Sequence, residues 1–304
     1  MGELQNLISI HDLDRKMIDH ILDTATKMES VAVKRGKDLD SKIMAVLFFE
    51  PSTRTRLSFE SAMLRLGGSV LGFAEAGTSS AGGKGETLAD TIRTVERYSD
   101  IIVIRHPLDG SARVAAEFSS IPVVNAGSGS EEHPTQALLD LYSIKKMKGK
   151  IDGLSISLCG DLKYGRTVHS LGMGLSHYDV KIKLAAPQLL RMKPTIIREM
   201  EKAGVDVIEV ESVEDAVKDV DVVYMTRIQK ERFPDVREYD KVQGRFRITA
   251  DDLKLMREDT TILHPLPRVD ELDSAIDDTP HAKYFDQVYN GVVLRMAVLK
   301  LILG

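Results

Sequence analysis

Cysteine and tryptophan are the scarcest residues of this 304-residue sequence, with one cysteine and no tryptophan. A single cysteine, Cys159, cannot form an intramolecular disulfide, so a reducing, cytoplasmic location is predicted. Basic side chains are not in excess, and the formal net charge of -5 argues against a nucleic-acid surface. No apolar run approaches the roughly 20 residues of a membrane span, and no signal-peptide pattern opens the sequence. The composition therefore excludes disulfide-rich, nucleic-acid-binding and membrane-spanning proteins.

The eight histidines show neither the spacing of a structural zinc site nor a Cys/His tract, so no metal site is predicted. A chain of this length predicts two domains of about 150 residues each. Apolar strand-like runs alternate with helical periodicity, which is typical of α/β folds with parallel sheets. The predicted strands are 43–49, 69–73, 101–104, 122–125, 154–159, 180–185, 205–210, 220–225 and 261–263.

Helical periodicity and end signals complete the pattern. The predicted helices start near residue 12 and after residue 52, and then cover 87–98, 111–118, 134–147, 167–176, 194–203, 213–217, 251–257 and 286–303. The helix near 134–148 joins two α/β units of similar size. A Gly- and Ser-rich stretch at 75–86 predicts a mobile loop, and the long charged stretch 226–250 predicts a binding loop.

The strongest functional signal lies in the stretch between the first predicted strand and the helix that follows it. It reads Phe49-Glu50-Pro51-Ser52-Thr53-Arg54-Thr55-Arg56. The first backbone N–H groups of a helix have no partner within the helix, and the helix dipole favours an anion there. Three hydroxyls and the planar fork of Arg54 add donors suited to phosphate oxygens. Residues 52–55 are therefore predicted to form a phosphate cradle; an ordinary helix cap with solvated arginines is the alternative.

The octapeptide resembles the carbamoyl-phosphate signature of the aspartate and ornithine carbamoyltransferase family. Further family motifs follow in the same order at Ser79-Ser80, Lys84-Gly85-Glu86, Arg105-His106-Pro107, His133-Pro134-Thr135-Gln136, Arg227-Ile228-Gln229-Lys230-Glu231-Arg232 and His264-Pro265-Leu266-Pro267-Arg268. They span residues 50 to 268, so the resemblance covers essentially the whole chain. It implies two doubly wound parallel-sheet domains joined by a helix, with a C-terminal helix that returns to the first domain.

The resemblance also implies a reaction and a division of labour. The carbamoyl group of carbamoyl phosphate would pass to the amine of L-aspartate, giving N-carbamoyl-L-aspartate and phosphate in pyrimidine biosynthesis. No cofactor, metal or covalent intermediate is needed. The implied carbamoyl-phosphate-binding domain is 1–133 with 286–304, and the implied aspartate-binding domain is 134–285.

Residue roles carry over onto the matching positions. The implied ligands of carbamoyl phosphate are Ser52, Thr53, Arg54, Thr55, Ser80, Lys84, Arg105, His133, Gln136, Pro265 and Leu266. Five of the contacting residues are expected to be catalytic, namely His133, Arg105, Thr55, Lys84 and Arg54, and the first three would stabilise the oxyanion. The implied ligands of aspartate are Lys84, Arg166, Arg227, Gln229 and Leu266.

Two expectations concern assembly and motion. In the family, Ser80 and Lys84 reach into the site of the adjacent subunit, so a homotrimer with shared active sites is expected. The sequence leaves open whether separate regulatory chains bind. From charge placement, a salt link from Glu50 to Arg166 and Arg232 is predicted to hold the domains closed over substrates.

Two other interpretations compete with this one. Gly160 to Thr167 has the spacing of a nucleotide-binding P-loop with Arg166 in place of lysine, which leaves a non-catalytic phosphate- or nucleotide-binding protein as one alternative. The other is an acceptor such as ornithine. Arg166 and Arg227 suit a dicarboxylate and would repel a cationic side chain. Pro265 also favours aspartate, because ornithine enzymes typically carry cysteine there. His264 is expected to be structural.

Overall fold

The computed structural model describes residues 4–74, 85–130, 132–228, 244 and 246–304. The chain divides into two compact units, Met1–Tyr142 with Tyr289–Gly304, and Ser143–Val288. Each unit is built on one parallel β-sheet with helices between its strands. The predicted α/β class with two parallel sheets is therefore confirmed. The long sequence loops at 75–84 and 229–243 lie outside the described residues.

The first unit contains four parallel strands in the order β2-β1-β3-β4. The strands are β1 (Ile43–Phe48), β2 (Ser69–Phe73), β3 (Ile101–His106) and β4 (Val123–Ser128). The helices are α1 (Arg15–Lys34), α2 (Thr53–Arg65), α3 (Leu88–Val95), α4 (Ser111–Phe118) and α5 (Pro134–Lys148), the last of which continues into the second unit. β1 and β3 are buried along nearly their whole length, as expected for inner strands of a covered parallel sheet.

An N-terminal segment extends this sheet beyond β4. The N–H of Leu7 donates to the carbonyl of Val123 at 3.0 Å, and the N–H of Asn125 donates to the carbonyl of Leu7 at 2.8 Å. The side chain of Asn6 accepts the N–H of Val123 at 2.7 Å. The edge of β4 is thereby paired with chain that the apolar pattern did not identify as strand.

The second unit contains five parallel strands in the order β7-β6-β5-β8-β9. The strands are β5 (Leu154–Cys159), β6 (Val180–Ala185), β7 (Asp206–Val210), β8 (Val222–Met225) and β9 (Thr261–Leu263). The helices are α6 (Arg166–Leu175), α7 (Pro194–Lys202) and α8 (Val213–Val217).

The helix predicted over 251–257 is wrong in type, because the structure has a short 3-10 helix at Asp252–Leu255. No residue of this turn is fully buried, and Leu253 and the following Met256 pack against the core while partly exposed, which gives little support to a longer α-helix. The carboxylate of Asp252 accepts both the N–H and the hydroxyl of Thr249 at 2.7 Å, which holds the chain in a local turn.

The last helix, α9 (Tyr284–Leu303), starts in the second unit and ends in the first. Its buried residues within the first unit are Asn290, Gly291, Val293, Leu294, Arg295, Met296, Ala297, Val298 and Leu299. The buried Arg295 donates to the hydroxyl of Ser58 on α2 at 2.9 Å and lies 4.9 Å from the ring centre of Phe59. The predicted return of the C-terminal helix to the first unit is confirmed.

Within the described part of the chain, no helix is both long enough and apolar enough to cross a membrane. The same residues contain no group of three or more His, Cys, Asp or Glu side chains arranged to hold a metal ion.

Candidate active site

Each sheet has one position where the strand order reverses. In the first unit it lies between β1 and β3, and in the second it lies between β5 and β8. In open α/β sheets, ligands bind beyond the carboxyl ends of the strands at such a position. Glu50, the phosphate cradle and Arg105 follow or end the strands at the first position. Arg166 and Arg227 follow the strands at the second.

The phosphate cradle is the N-terminus of α2. Ser52 is the N-cap residue in an extended conformation, and its hydroxyl does not cap the helix. The backbone N–H of Arg56 donates to the carbonyl of Ser52 at 3.2 Å, so the N–H groups of residues 53–55 precede the hydrogen-bonded part of the helix. Thr55 is buried and Arg54 is exposed. The cradle thus combines backbone N–H groups, hydroxyls and one exposed guanidinium.

Arg105 ends β3 beside the cradle, in register with Phe48 of β1. Its Nη1 donates to the carbonyl of Ala126 at 3.2 Å, and its Nη2 donates to Oε1 of Glu50 at 2.5 Å. The side chain is only 11% exposed, so its charge is held by fixed partners from the ends of β1 and β4. Because a guanidinium has five N–H groups, a phosphate can share Arg105 with Glu50 or displace it.

Asn125, which was not among the predicted site residues, organises β4 next to Arg105. It is 2% exposed, and its amide donates to the carbonyl of Ile8 at 2.8 Å and to the hydroxyl of Ser128 at 3.1 Å. Its oxygen accepts the N–H of Gly127 at 2.8 Å. These bonds fix the backbone on both sides of the Ala126 carbonyl that holds Arg105. A polar residue at the end of an apolar strand was the available signal.

His106 follows Arg105 and contacts the ring of Phe49, with ring centres 4.8 Å apart. Burial lowers the pKa of His106, and the nearby carboxylate of Glu50 only partly opposes this. The neutral ring accepts the N–H of Leu108 through Nδ1 at 3.1 Å. Its function in this position is to shape the strand end.

His133 and Gln136 lie at the start of α5. His133 is buried, and its carbonyl accepts the N–H groups of Gln136 and Ala137 at 2.9 and 3.1 Å. Gln136 donates from its side chain to Oδ1 of the fully buried Asp140 at 2.9 Å. The structure therefore places the predicted donors of the first unit at two helix N-termini and one strand end.

In the second unit, Thr226 joins the two strand ends that carry arginines. Its hydroxyl donates to the carbonyl of Cys159 and accepts the N–H of Asp161, both at 3.2 Å. Arg166 is the first residue of α6 after the β5 turn, and Arg227 directly follows Thr226. These bonds bring the turn that precedes Arg166 next to the backbone that carries Arg227.

A third cluster follows β9, the neighbour of β8. It is the 264–271 loop, in which Pro265 and Leu266 are half-buried and the Leu266–Pro267 peptide bond is cis. Nδ1 of His264 accepts the N–H of Leu266 at 2.8 Å, and its Nε2–H donates to Glu271 at 2.7 Å. Burial would raise the pKa of Glu271, but hydrogen bonds from His264 and from backbone N–H groups outweigh it and lower that pKa.

Glu271 is a second residue that the sequence did not identify. It is 2% exposed, although it lies in a charged, irregular stretch that gives no periodic signal. Four predicted site residues, Ser80, Lys84, Gln229 and Arg232, lie outside the described residues, so their contacts stay predictions.

Two family models match the chain. The carbamoyl-phosphate-binding domain of aspartate/ornithine carbamoyltransferase matches residues 5–146, and the aspartate/ornithine-binding domain of the same family matches residues 152–302. Together they cover nearly the whole chain, and their junction falls within or just after α5.

Relatives and solved structures agree. The aspartate carbamoyltransferase catalytic subunit of Thermococcus kodakarensis is 56% identical over 303 residues, which cover 99% of this chain and 97% of the relative. The catalytic subunit of M. jannaschii aspartate transcarbamoylase is 50% identical, with a TM-score of 0.91 and coverage of 98% and 97%. Trypanosoma cruzi aspartate transcarbamoylase, solved with carbamoyl phosphate and aspartate, is 38% identical, with a TM-score of 0.94 and coverage of 99% and 98%. The chain is therefore an enzyme of the aspartate/ornithine carbamoyltransferase family.

Proposed function

We propose that this enzyme transfers the carbamoyl group of carbamoyl phosphate to the amine of L-aspartate, giving N-carbamoyl-L-aspartate and phosphate. The observation that carries the proposal is that each unit has its own cluster of cationic and hydrogen-bond-donating groups at the ends of its strands. The first combines the phosphate cradle with Arg105, and the second carries Arg166 and Arg227. The Trypanosoma cruzi relative solved with both substrates supports the same assignment.

In the proposed mechanism, the uncharged amine attacks the carbonyl carbon directly. His133, Arg105 and Thr55 stabilise the oxyanion that develops, and Gln136 and the carbonyls of Pro265 and Leu266 bind the carbamoyl NH2. Fixed donors aimed at developing charge are worth about 10²–10³-fold in rate each. The buried setting of Arg105, His133 and Thr55 suits this role, since such donors need little reorganisation.

The leaving phosphate is held by Ser52, Thr53, Arg54, Arg105 and Lys84. It can take up the proton of the attacking amine, so no protein base and no covalent intermediate are required. Competition between phosphate and Glu50 for Arg105 would release the Glu50 carboxylate on binding. The further role of Glu50 in domain closure with Arg166 and Arg232 stays a prediction.

Aspartate specificity is assigned to two guanidinium groups, because a dicarboxylate offers each of them an anionic partner. Arg166 and Arg227 bind its carboxylates, with Gln229, Lys84 and Leu266 as further contacts. Ornithine would place a cation against the same arginines. This assignment also separates the acceptor pocket from the phosphate cradle.

The test is carbamoyl phosphate-dependent product formation with L-aspartate and L-ornithine as competing acceptors. We expect turnover with aspartate alone. Turnover with ornithine would contradict the acceptor pocket and leave the phosphate cradle intact. If the folded protein turned over neither acceptor, yet was stabilised by ATP-magnesium, the binding-protein alternative would replace the enzyme proposal.

We also propose a homotrimer whose active sites are shared between neighbours through Ser80 and Lys84. Inactive Lys84→Ala and Arg54→Ala proteins, mixed so that subunits exchange, should regenerate sites that contain neither substitution. Unrecovered activity in trimers shown to be mixed would contradict sharing. Relatives named as catalytic subunits support a search for regulatory chains, and the cytoplasmic location stays a prediction.

A further inference from the structure

We propose that His264 and Glu271 form a buried positioning pair that aims the backbone carbonyl of Pro265 at the carbamoyl group. The inference rests on the proposed function, because it gives a device to a carbonyl already assigned to the substrate. Neither side chain is assigned a contact with the substrate. Both are at least 98% buried, and His264 is 1% exposed.

The hydrogen bonds of His264 fix the tautomer of its ring. The backbone N–H of Leu266 can only donate, so Nδ1, 2.8 Å away, must be the acceptor. The ring proton therefore resides on Nε2 and is donated to Oε1 of Glu271 at 2.7 Å. A neutral imidazole with this one tautomer satisfies both neighbours.

Glu271 holds the ring from the other side. Its Oε2 accepts the N–H groups of Val269 and Asp270, both at 3.1 Å. The carboxylate thus ties the imidazole to the backbone at the end of the same loop. An acceptor-only group is required here, because all three partners are donors.

The consequence for the substrate follows from peptide geometry. The carbonyl of Pro265 and the N–H of Leu266 belong to one planar peptide unit, and in a trans unit they point in opposite directions. Because Nδ1 of His264 anchors that N–H, the Pro265 carbonyl is turned away from the ring. The anchor also restrains Leu266 at φ +55°, a backbone conformation that leucine rarely adopts.

The ends of the loop are fixed as well, so the pair acts on a rigid frame. The N–H of His264 donates to the side chain of Gln287 at 2.9 Å. Arg268 binds the carboxylate of Asp277 through both terminal nitrogens and stacks near Tyr284. What remains to be set is the orientation of the peptide between Pro265 and Leu266.

Two substitutions of His264 separate the two bonds. In His264→Asn the amide oxygen can occupy the place of Nδ1 and keep the acceptor for Leu266, while the bond to Glu271 is lost. In His264→Gln the longer side chain can still donate to Glu271, while the acceptor for Leu266 is lost. Both remove an aromatic ring from the same buried position, so each is a structural control for the other.

We expect His264→Asn to keep kcat within a few-fold of the wild type, and His264→Gln to lose about 10²-fold in kcat, since small misplacements of a positioning group cost this much. Stabilisation by inorganic phosphate, which reports on the phosphate cradle, should be unchanged in both. Amide exchange at Leu266 should be slow in wild type and His264→Asn and fast in His264→Gln. Glu271→Gln should behave like His264→Gln, because an NH2 group that faces Nε2 moves the ring proton to Nδ1 and so removes the acceptor for Leu266, while the amide oxygen keeps the two backbone N–H groups.

His281 supplies the matched control within the same unit, since its ring bonds a single backbone carbonyl, that of Thr260, at 2.7 Å. His281→Gln should leave kcat unchanged at an equal loss of melting temperature. Equal losses of kcat in His264→Asn and His264→Gln that track melting temperature would overturn the proposal. A wild type without carbamoyl transfer would instead overturn the proposed function, and slow Leu266 exchange in His264→Gln would overturn the positioning bond by itself.

Discussion

Two turns of this molecule lead from a strand into a helix, but they offer different chemical groups to a ligand. The first leads from β1 into α2 and carries the phosphate cradle; the second leads from β5 into α6 and carries Arg166. In the second turn, the N–H groups of Gly160, Leu162 and Tyr164 donate to protein oxygens, at 3.0, 3.1 and 2.9 Å. In the first, residues 53–55 lie in a helical turn whose N–H groups have no acceptor within the helix.

The difference explains the P-loop-like spacing of the second turn. A Cβ atom on Gly160 would lie 2.2 Å from the carbonyl oxygen of Thr226, and one on Gly165 would lie 2.4 Å from that of Asp161. Both glycines are therefore required by close backbone packing. In a P-loop they would instead let backbone N–H groups approach phosphates. Similar glycine spacing thus arises here from the packing of Gly160 against the end of the neighbouring strand and of Gly165 against its own turn.

The largest effect is expected at the phosphate cradle. Arg54→Ala should lower kcat/KM for carbamoyl phosphate by about 10³-fold, because a fixed charged donor to the phosphate is lost. The control is Arg56→Ala on the same helix, whose guanidinium pairs with Glu60 at 2.8 Å on the helix surface. Steady-state kinetics at saturating aspartate measure both. Similar losses of kcat/KM in the two variants would contradict a specific contact between Arg54 and the phosphate.

The next effect concerns the stability of the second turn. Gly160 has φ +108° and no room for a Cβ, so Gly160→Ala should lower the free energy of unfolding by about 3 kcal/mol. Gly204→Ala is matched to it, because Gly204 has φ +96° but open space around it. Its cost should be about 1 kcal/mol, from backbone strain alone. Denaturant titrations check this, and equal costs would contradict the packing explanation.

The substitution Arg166→Lys tests the difference between the two turns directly, because it completes the P-loop sequence in the second turn. We expect no binding of ATP-magnesium by calorimetry, because four backbone N–H groups of that turn, those of Gly160, Asp161, Leu162 and Tyr164, already donate to protein oxygens. The KM for aspartate should rise about tenfold, since lysine cannot replace a bidentate guanidinium. Gain of micromolar ATP affinity would show that the turn is a P-loop lacking only its lysine.

The smallest effect is a pH dependence that belongs to the second turn. His169 on α6 bonds the carbonyl of Leu162 at 2.8 Å, and burial lowers the pKa of His169 below its ordinary 6.5. The unfolded chain therefore takes up this proton first as pH falls, so the free energy of unfolding decreases below pH 6.5. His169→Gln should reduce the drop in melting temperature between about pH 7 and pH 5.5. An unchanged drop would assign that sensitivity to other groups.

The helices and strands were predictable because buried, apolar residues recur along them at regular intervals. The apolar runs of β5 and β6 predicted strands with the bounds that the structure has, and the 111–118 helix also matches α4. The phosphate cradle was predictable for a related reason: a helix N-terminus with several hydroxyls is local in sequence.

Contacts that depend on irregular backbone were not predictable. Asn125 and Glu271 act through individual hydrogen bonds, mostly to backbone groups of loops. Such bonds produce no periodic pattern in the sequence. The pairing of Leu7 with β4 joins segments more than 100 residues apart. The 251–257 segment was predicted as a helix, but only Asp252–Leu255 forms one, a short 3-10 helix without a fully buried residue.

The return of α9 to the first unit has a consequence for biosynthesis. The second unit, Ser143–Val288, is continuous in sequence, so all the residues of its core are translated before the chain reaches residue 289. The first unit has to wait, because Leu294, Arg295 and Val298 complete its core and are translated after the entire second unit. In a nascent chain, α2 therefore lacks the buried partner of Ser58 until translation nears residue 304. The part of the enzyme made first is thus the last to be finished.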